Sequence, residues 1–134
     1  MHRALSLVGT GLLAATLTLA AACGEDDNAD DGSELEDVVS IDGSEADVKV
    51  LDNTFNDENI SVASGTKVVW TNDGRQDHDI IPNDDGDWGV DPDDFEAGAV
   101  YEHTFDEPGT YRYYCSLHGS ETSGMIGAVV VEEP

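Results

Sequence analysis

The run YRYYCSLHGSETSGMIGAVVV, residues 111–131, decides how the rest of the chain reads. Its flanks have strand composition, at residues 110–115 and 126–132, and its Gly- and Ser-rich middle reads as the loop joining them. Cys115, His118 and Met125 fall within eleven residues of this run. A thiolate, an imidazole and a thioether form a soft ligand set, which suits copper that must exist as both Cu(I) and Cu(II). A lone cysteine in a strand is ordinarily an inert buried thiol. The chain beyond residue 47, however, holds one Cys, one Met and three His, so chance explains their clustering poorly.

Such a site needs a second imidazole from elsewhere in the chain. His78, in QDHDI, sits at a strand entrance after a turn, a favourable place for a ligand. Its rival His103, in YEHTF, falls mid-strand between Glu102 and Thr104, where a sheet-surface histidine is the simpler reading. Cys115 thiolate with two imidazoles would form a trigonal plane, and Met125 sulfur a weak axial contact that helps set the potential. Four protein ligands leave no open position for a substrate, so an electron carrier is expected rather than an enzyme. Copper storage or delivery with the same ligands, and an adhesive sandwich with an incidental cluster, are the competing readings. Cys115 and His118 as nucleophile and base lack a third, orienting group. The acids of residues 83–87 and 91–94 lack the register of a calcium loop and read as solvated.

Outward from this run, short strands recur. Val48, Val50 and Phe55 suggest a first and residues 59–63 a second. TKVVWTN, residues 66–72, is a third, closed by the turn signal Asn72-Asp73-Gly74. Residues 79–82 give a short fourth, residues 83–98 an irregular acidic loop, and residues 100–105 another strand ending at Glu107-Pro108-Gly109. No helical period is sustained. The expectation is an all-β fold, a Greek-key β-sandwich of about seven to eight strands over residues 48–134. A domain of that size buries an adequate core.

The chain has 134 residues and a formal net charge of −25. Residues 1–22 read as a secretory signal: Arg3 is followed by nineteen uncharged residues, Ala4 to Ala22, rich in Ala and Leu. Without a twin arginine, general export is expected. Cys23 stands where a lipoprotein signal places its lipidated cysteine, although Ala20 occupies the usual Leu position. Ala20-Ala21-Ala22 also satisfies an ordinary cleavage site, and nineteen residues just span hydrocarbon as an uncleaved anchor. Lipid anchoring is favoured over these two. All three put the remainder outside the cytoplasm, at the outer face of the cell membrane. Residues 23–47 read as an acidic flexible linker, with a reach of roughly 25–30 Å; Ser33 to Glu36, before Val38 and Val39, suggest a short capped helix. A Cys23–Cys115 disulfide would leave His118 and Met125 without a role and is disfavoured.

All 30 acids, and all but one of the five Lys and Arg residues, lie after Cys23. Such a domain repels itself until salt shortens the Debye length, to about 3 Å near 1 M. The acids are spread along the chain rather than gathered in one block, so a halophilic source explains them better than a single basic partner. Nucleic acid is excluded as a partner by charge sign. A monomer is expected.

The GTKVVWTN strand, the histidine after it, the FDEPGTYRYYC run and the C-x-x-H…GM-x-G-x-V-x-V ending resemble the cupredoxins of the plastocyanin/azurin group, most closely the halocyanin-type members. The resemblance covers roughly residues 48–131. It implies a Greek-key sandwich of about eight strands with one type 1 copper at one end, and it carries ligand roles onto His78, Cys115, His118 and Met125. It also implies single-electron exchange with redox proteins, such as a membrane respiratory complex or another electron carrier, through the exposed edge of His118. Leu117 and Met125 would then form a small apolar docking patch. Two positions and one spacing depart from the family pattern. Asp77 and Asp79 flank His78 where Pro and Asn are common, and Met125 follows His118 by seven residues, longer than in plastocyanin. The Asp79 backbone N–H can still support the thiolate, but its carboxylate cannot donate as an amide would, and its charge favours Cu(II).

Overall fold

The structure, a computed structural model, describes residues 34–134. The signal segment, Cys23 and the linker up to residue 33 lie outside the described residues. Nine strands follow: β1 (Val38–Ser40), β2 (Glu45–Val50), β3 (Phe55–Asn56), β4 (Asn59–Ala63), β5 (Thr66–Asn72), β6 (Ile81–Pro82), β7 (Val100–Phe105), β8 (Gly109–Ser120) and β9 (Ser123–Glu132). One sheet has the order β1-β4-β9-β8-β6 and the other β3-β2-β5-β7. The β1–β4, β4–β9 and β2–β5 pairs are parallel. Parallel neighbours cannot be joined by a hairpin, so the chain crosses between sheets as a Greek key requires.

Side-chain alternation sets the layers. In β2, Ala46, Val48 and Val50 are buried while Glu45, Asp47 and Lys49 face solvent, the period-two pattern of a half-buried strand. β4, β5 and β9 lie inside their sheets and are buried more continuously. The two sheets meet through an aromatic clasp. Trp70 of β5 donates its indole N–H to the hydroxyl of Tyr113 on β8 at 3.1 Å. The two rings also meet edge to face, with centroids 5.6 Å apart. Both residues are buried, and burial raises the Tyr113 hydroxyl far above the ordinary phenol range. Gly127, opposite Tyr113 in the ladder, makes room for that ring: a Cβ there would lie 2.5 Å from Tyr113 Cζ.

The ordered fold starts earlier than expected. β1 and the first half of β2 fall within residues 23–47, where the sequence predicts a flexible linker, so the domain does not begin at Val48. Backbone pairing holds this segment, because Val38 to Ser40 lie alongside Asn59 to Ser61 and the Glu36 carbonyl accepts a bond from Asn59 Nδ2. Val38 and Val39 remain exposed, so β1 has no apolar pattern to betray it. Glu34 to Asp37 are not helical, contrary to the capped helix suggested there. Among the described residues no helix is long and apolar enough to cross a membrane.

Two cations of the domain, Lys67 and Arg75, sit against carboxylates. Lys67 lies 2.7 Å from Glu45 and 3.4 Å from Glu102, and Arg75 3.1 Å from Asp52. Exposed pairs of this kind add little stability; the clasp adds more. Tyr113→Phe should lower unfolding free energy by about 1–3 kcal/mol, because it strands a buried indole N–H without an acceptor. Denaturant titration measures this, and a loss near zero would show that the hydroxyl does not hold the sheets.

Candidate metal centre

The site begins as a break in a ladder. β8 and β9 pair residue for residue from Gly109↔Val131 to Tyr114↔Ile126, then resume at Gly119↔Gly124 and Ser120↔Ser123. Between these stretches Cys115, Ser116, Leu117 and His118 stand opposite the single residue Met125. An excess of residues in one strand bends it and re-aims its side chains. The middle of the 111–131 run, expected as a loop, is therefore mostly hairpin, and its Gly residues serve close approach. Gly124 has φ +82°, and a Cβ there would lie 2.7 Å from the His118 carbonyl oxygen.

His78 arrives from the other sheet. β5 ends at Asn72, which is buried, and its side chain organises the following turn. Asn72 Nδ2 donates to the carbonyls of Gln76 and Phe95, at 2.9 and 3.0 Å, and its Oδ1 accepts the Gly74 N–H at 3.0 Å. The His78 N–H in turn donates to the Phe95 carbonyl at 3.3 Å. Asn72 reads in sequence only as a turn former, and Phe95 as part of an acidic loop. An Asn closing an apolar strand was the available signal for the first; nothing local marked the second.

His78 and Cys115 are fully buried and His118 is half-buried. Each histidine presents Nδ1 to Cys115 Sγ at 3.6 Å, and the ring centroids lie 4.9 Å apart. The ligand-capable atoms of the three residues all lie within 4.8 Å of one another. Cys115 Sγ also receives the backbone N–H groups of Asp79 and Leu117. Asp79 is buried, and its carboxylate accepts both the backbone N–H of Ser116, at 2.6 Å, and the Ser116 hydroxyl. Instead of donating as an amide would, it clamps the residue after the cysteine.

Without a cation, His78 and Cys115 favour their neutral forms. Burial first, then the neighbouring His118, lowers the His78 pKa below the ordinary imidazole value, against opposing pulls from Asp52, Asp79 and Asp77. Burial raises the Cys115 thiol, partly offset by the two backbone N–H groups. Neutral imidazoles offer lone pairs directly, and a bound cation would draw the proton off the thiol.

Met125 is buried and lies across the ladder break from Cys115 and His118. The exposed apolar patch of Leu117 with Met125 expected from sequence therefore lacks Met125, while Leu117 is 52% exposed. His103 is absent from the cluster. Its ring is half-buried rather than on the open sheet surface, stacking on Trp88 with centroids 5.7 Å apart and meeting Phe105 at 4.7 Å. Cys115 is a free cysteine.

The donors fit a single soft metal ion. Donors about 2.0–2.3 Å from a common first-row ion, spread in a plane, stand about 3.5–4.0 Å apart, a range that includes the 3.6 Å separation of Cys115 Sγ from each Nδ1. One thiolate with two imidazoles is a donor set for copper.

The sequence model of copper-binding proteins of the plastocyanin/azurin family matches residues 25–132. Halocyanin of Natronomonas pharaonis is 37% identical over 81 residues, which cover 58% of this chain and 48% of that protein, so the chain spans about half its length. Among solved structures, a purple cupredoxin from Nitrosopumilus maritimus is similar with a TM-score of 0.56 and 28% identity, over 65% of this chain and 99% of that one. A copper-containing nitrite reductase from Thermus scotoductus matches with a TM-score of 0.60 at 24% identity, over 72% of this chain and 28% of the reductase, and shares the fold. Copper is the cofactor of this site, and the chain belongs to the plastocyanin/azurin family of copper-binding proteins.

Proposed function

We propose that this chain carries single electrons through one type 1 copper ion held by His78, Cys115 and His118, with Met125 as a weak axial ligand. The observation that carries this reading is the convergence of both Nδ1 atoms on Cys115 Sγ, each at 3.6 Å. When bound, copper supplies a Cu(I)/Cu(II) couple whose potential is tuned by the axial ligand and by the surroundings of the thiolate. The chain does the rest. The Asp79 and Leu117 N–H groups orient Cys115 Sγ, and the Asp79 carboxylate fixes the bulge. Burial of His78 and Cys115 keeps bulk water from those donors, and four protein ligands leave no position for substrate. His118, half-buried beside exposed Leu117, is the edge through which electrons leave. Docking there is small and transient, as turnover demands.

The chain is read as a monomer exported to the outer face of the cell membrane and tethered by a lipid on Cys23. There it serves a membrane respiratory complex or another redox protein. The charge of −25 supports a halophilic setting. Copper storage or delivery is the alternative, with the same ligands but no redox cycling.

Copper-loaded protein should be intensely blue, bleach reversibly with reductant, and lose the colour in Cys115→Ser. A colourless wild type that still binds copper would favour storage. Met125→Ala should keep copper while shifting the midpoint potential; an unchanged spectrum and potential would remove Met125 from the ligand set. Asp79→Asn takes away a buried negative charge and should raise the potential by stabilising Cu(I). Voltammetry that found no rise would mean the charge is screened.

A further inference from the structure

We infer that Gln76 is a positioning residue for the metal centre: its carboxamide oxygen fixes His118 in the Nε2–H tautomer, which leaves the Nδ1 lone pair facing Cys115 and His78. His118 Nε2 lies 2.7 Å from Gln76 Oε1, while its Nδ1 lies 3.6 Å from Cys115 Sγ. A neutral imidazole has one donor and one acceptor nitrogen, and the bond made by one decides the role of the other. An amide oxygen only accepts. Bonded to it, Nε2 carries the hydrogen and Nδ1 is free to bind a metal.

The segment bearing Gln76 is anchored on both sides. Its carbonyl accepts Asn72 Nδ2 at 2.9 Å. The preceding Arg75 gives its backbone N–H to Asp52 Oδ1 at 2.6 Å, and its guanidinium to Asp52 Oδ2 through Nη2 at 3.1 Å and Nε at 3.3 Å. Two residues on, the His78 N–H is tied to Phe95. With its backbone so fixed, the exposed Gln76 side chain has less freedom to lose on meeting the ring. His78 shows the contrast: its Nε2 is buried without a partner among the described residues. Packing holds that ring. His118, half-buried at the rim, has less around it and takes its orientation from a hydrogen bond. Partners that conserve ligand orientation in this way are worth roughly 10- to 100-fold in metal affinity.

The tautomer part stands without copper; the affinity part rests on the copper reading above. In metal-free full-length protein at about pH 8, where an ordinary imidazole is neutral, two-bond 1H–15N correlations should show His118 as the Nε2–H form. In Gln76→Met, which keeps the length but removes the acceptor, the Nδ1–H fraction should rise several-fold; Gln76→Glu, which keeps an acceptor, should restore the wild-type pattern. Copper competition should then show affinity lowered by about tenfold in Gln76→Met and largely regained in Gln76→Glu. An unchanged His118 tautomer in Gln76→Met, or unchanged copper affinity, overturns the proposal. Wild-type protein that binds no stoichiometric copper would sink the functional reading, and the tautomer measurement would still decide whether Gln76 sets the ring.

Discussion

The centre depends on a mismatch in one antiparallel ladder. Where β8 passes β9, four residues of one strand face one of the other, and the excess carries Cys115 and His118 of the metal cluster. A regular ladder would send Cys115 and Ser116 to opposite faces and spread the donors along the strand. The break instead gathers Cys115 and His118, with Met125 across from them. Gly119 and Gly124 close the ladder again at a separation that side chains would not allow. The cost is a stretch of backbone without cross-strand partners. It is met in part by the Cys115 sulfur, which takes the Leu117 N–H, and by Asp79, which takes that of Ser116.

Rigidity around the break follows from the packing beneath it. Tyr113, two residues before Cys115, is locked to Trp70 by a buried hydrogen bond and an edge-to-face contact. The strand carrying the cysteine is thereby fixed to the opposite sheet before it reaches the site. From that opposite sheet, β5 runs through Trp70 to Asn72, whose side chain shapes the turn that delivers His78. One strand thus supplies both the clasp and the route to the second imidazole. Donors preplaced in this way need little rearrangement when the charge of a bound metal changes.

Charge is divided between layers. The acids that dominate the composition face solvent along strands such as β2, while its Ala46, Val48 and Val50 fill the core. Among the described acids Asp79 is the exception, a buried carboxylate at the centre itself, where it accepts two hydrogen bonds from Ser116. A buried charge must be compensated, and these bonds supply part of that compensation. Its presence beside the thiolate distinguishes this centre from one built with an amide at the same position.

The residues by themselves determined the class of fold, most strand positions and the cluster of His78, Cys115 and His118. The strands β4, β5 and β7 have the bounds expected from sequence, because side-chain burial drives them. Cys115 and His118 were legible because soft ligands are scarce in this chain, and His78 because it follows a strand and a turn. Tertiary structure alone decided the rest. β1 is held by backbone pairing to β4, which leaves no trace in an exposed acidic segment. The hairpin register, the burial of Met125, and the grip of Asn72 and Gln76 on their targets all join residues distant in the chain or set across a ladder. Sequence pattern reports what each side chain prefers next to its neighbours; it does not carry the distances at which separate strands meet.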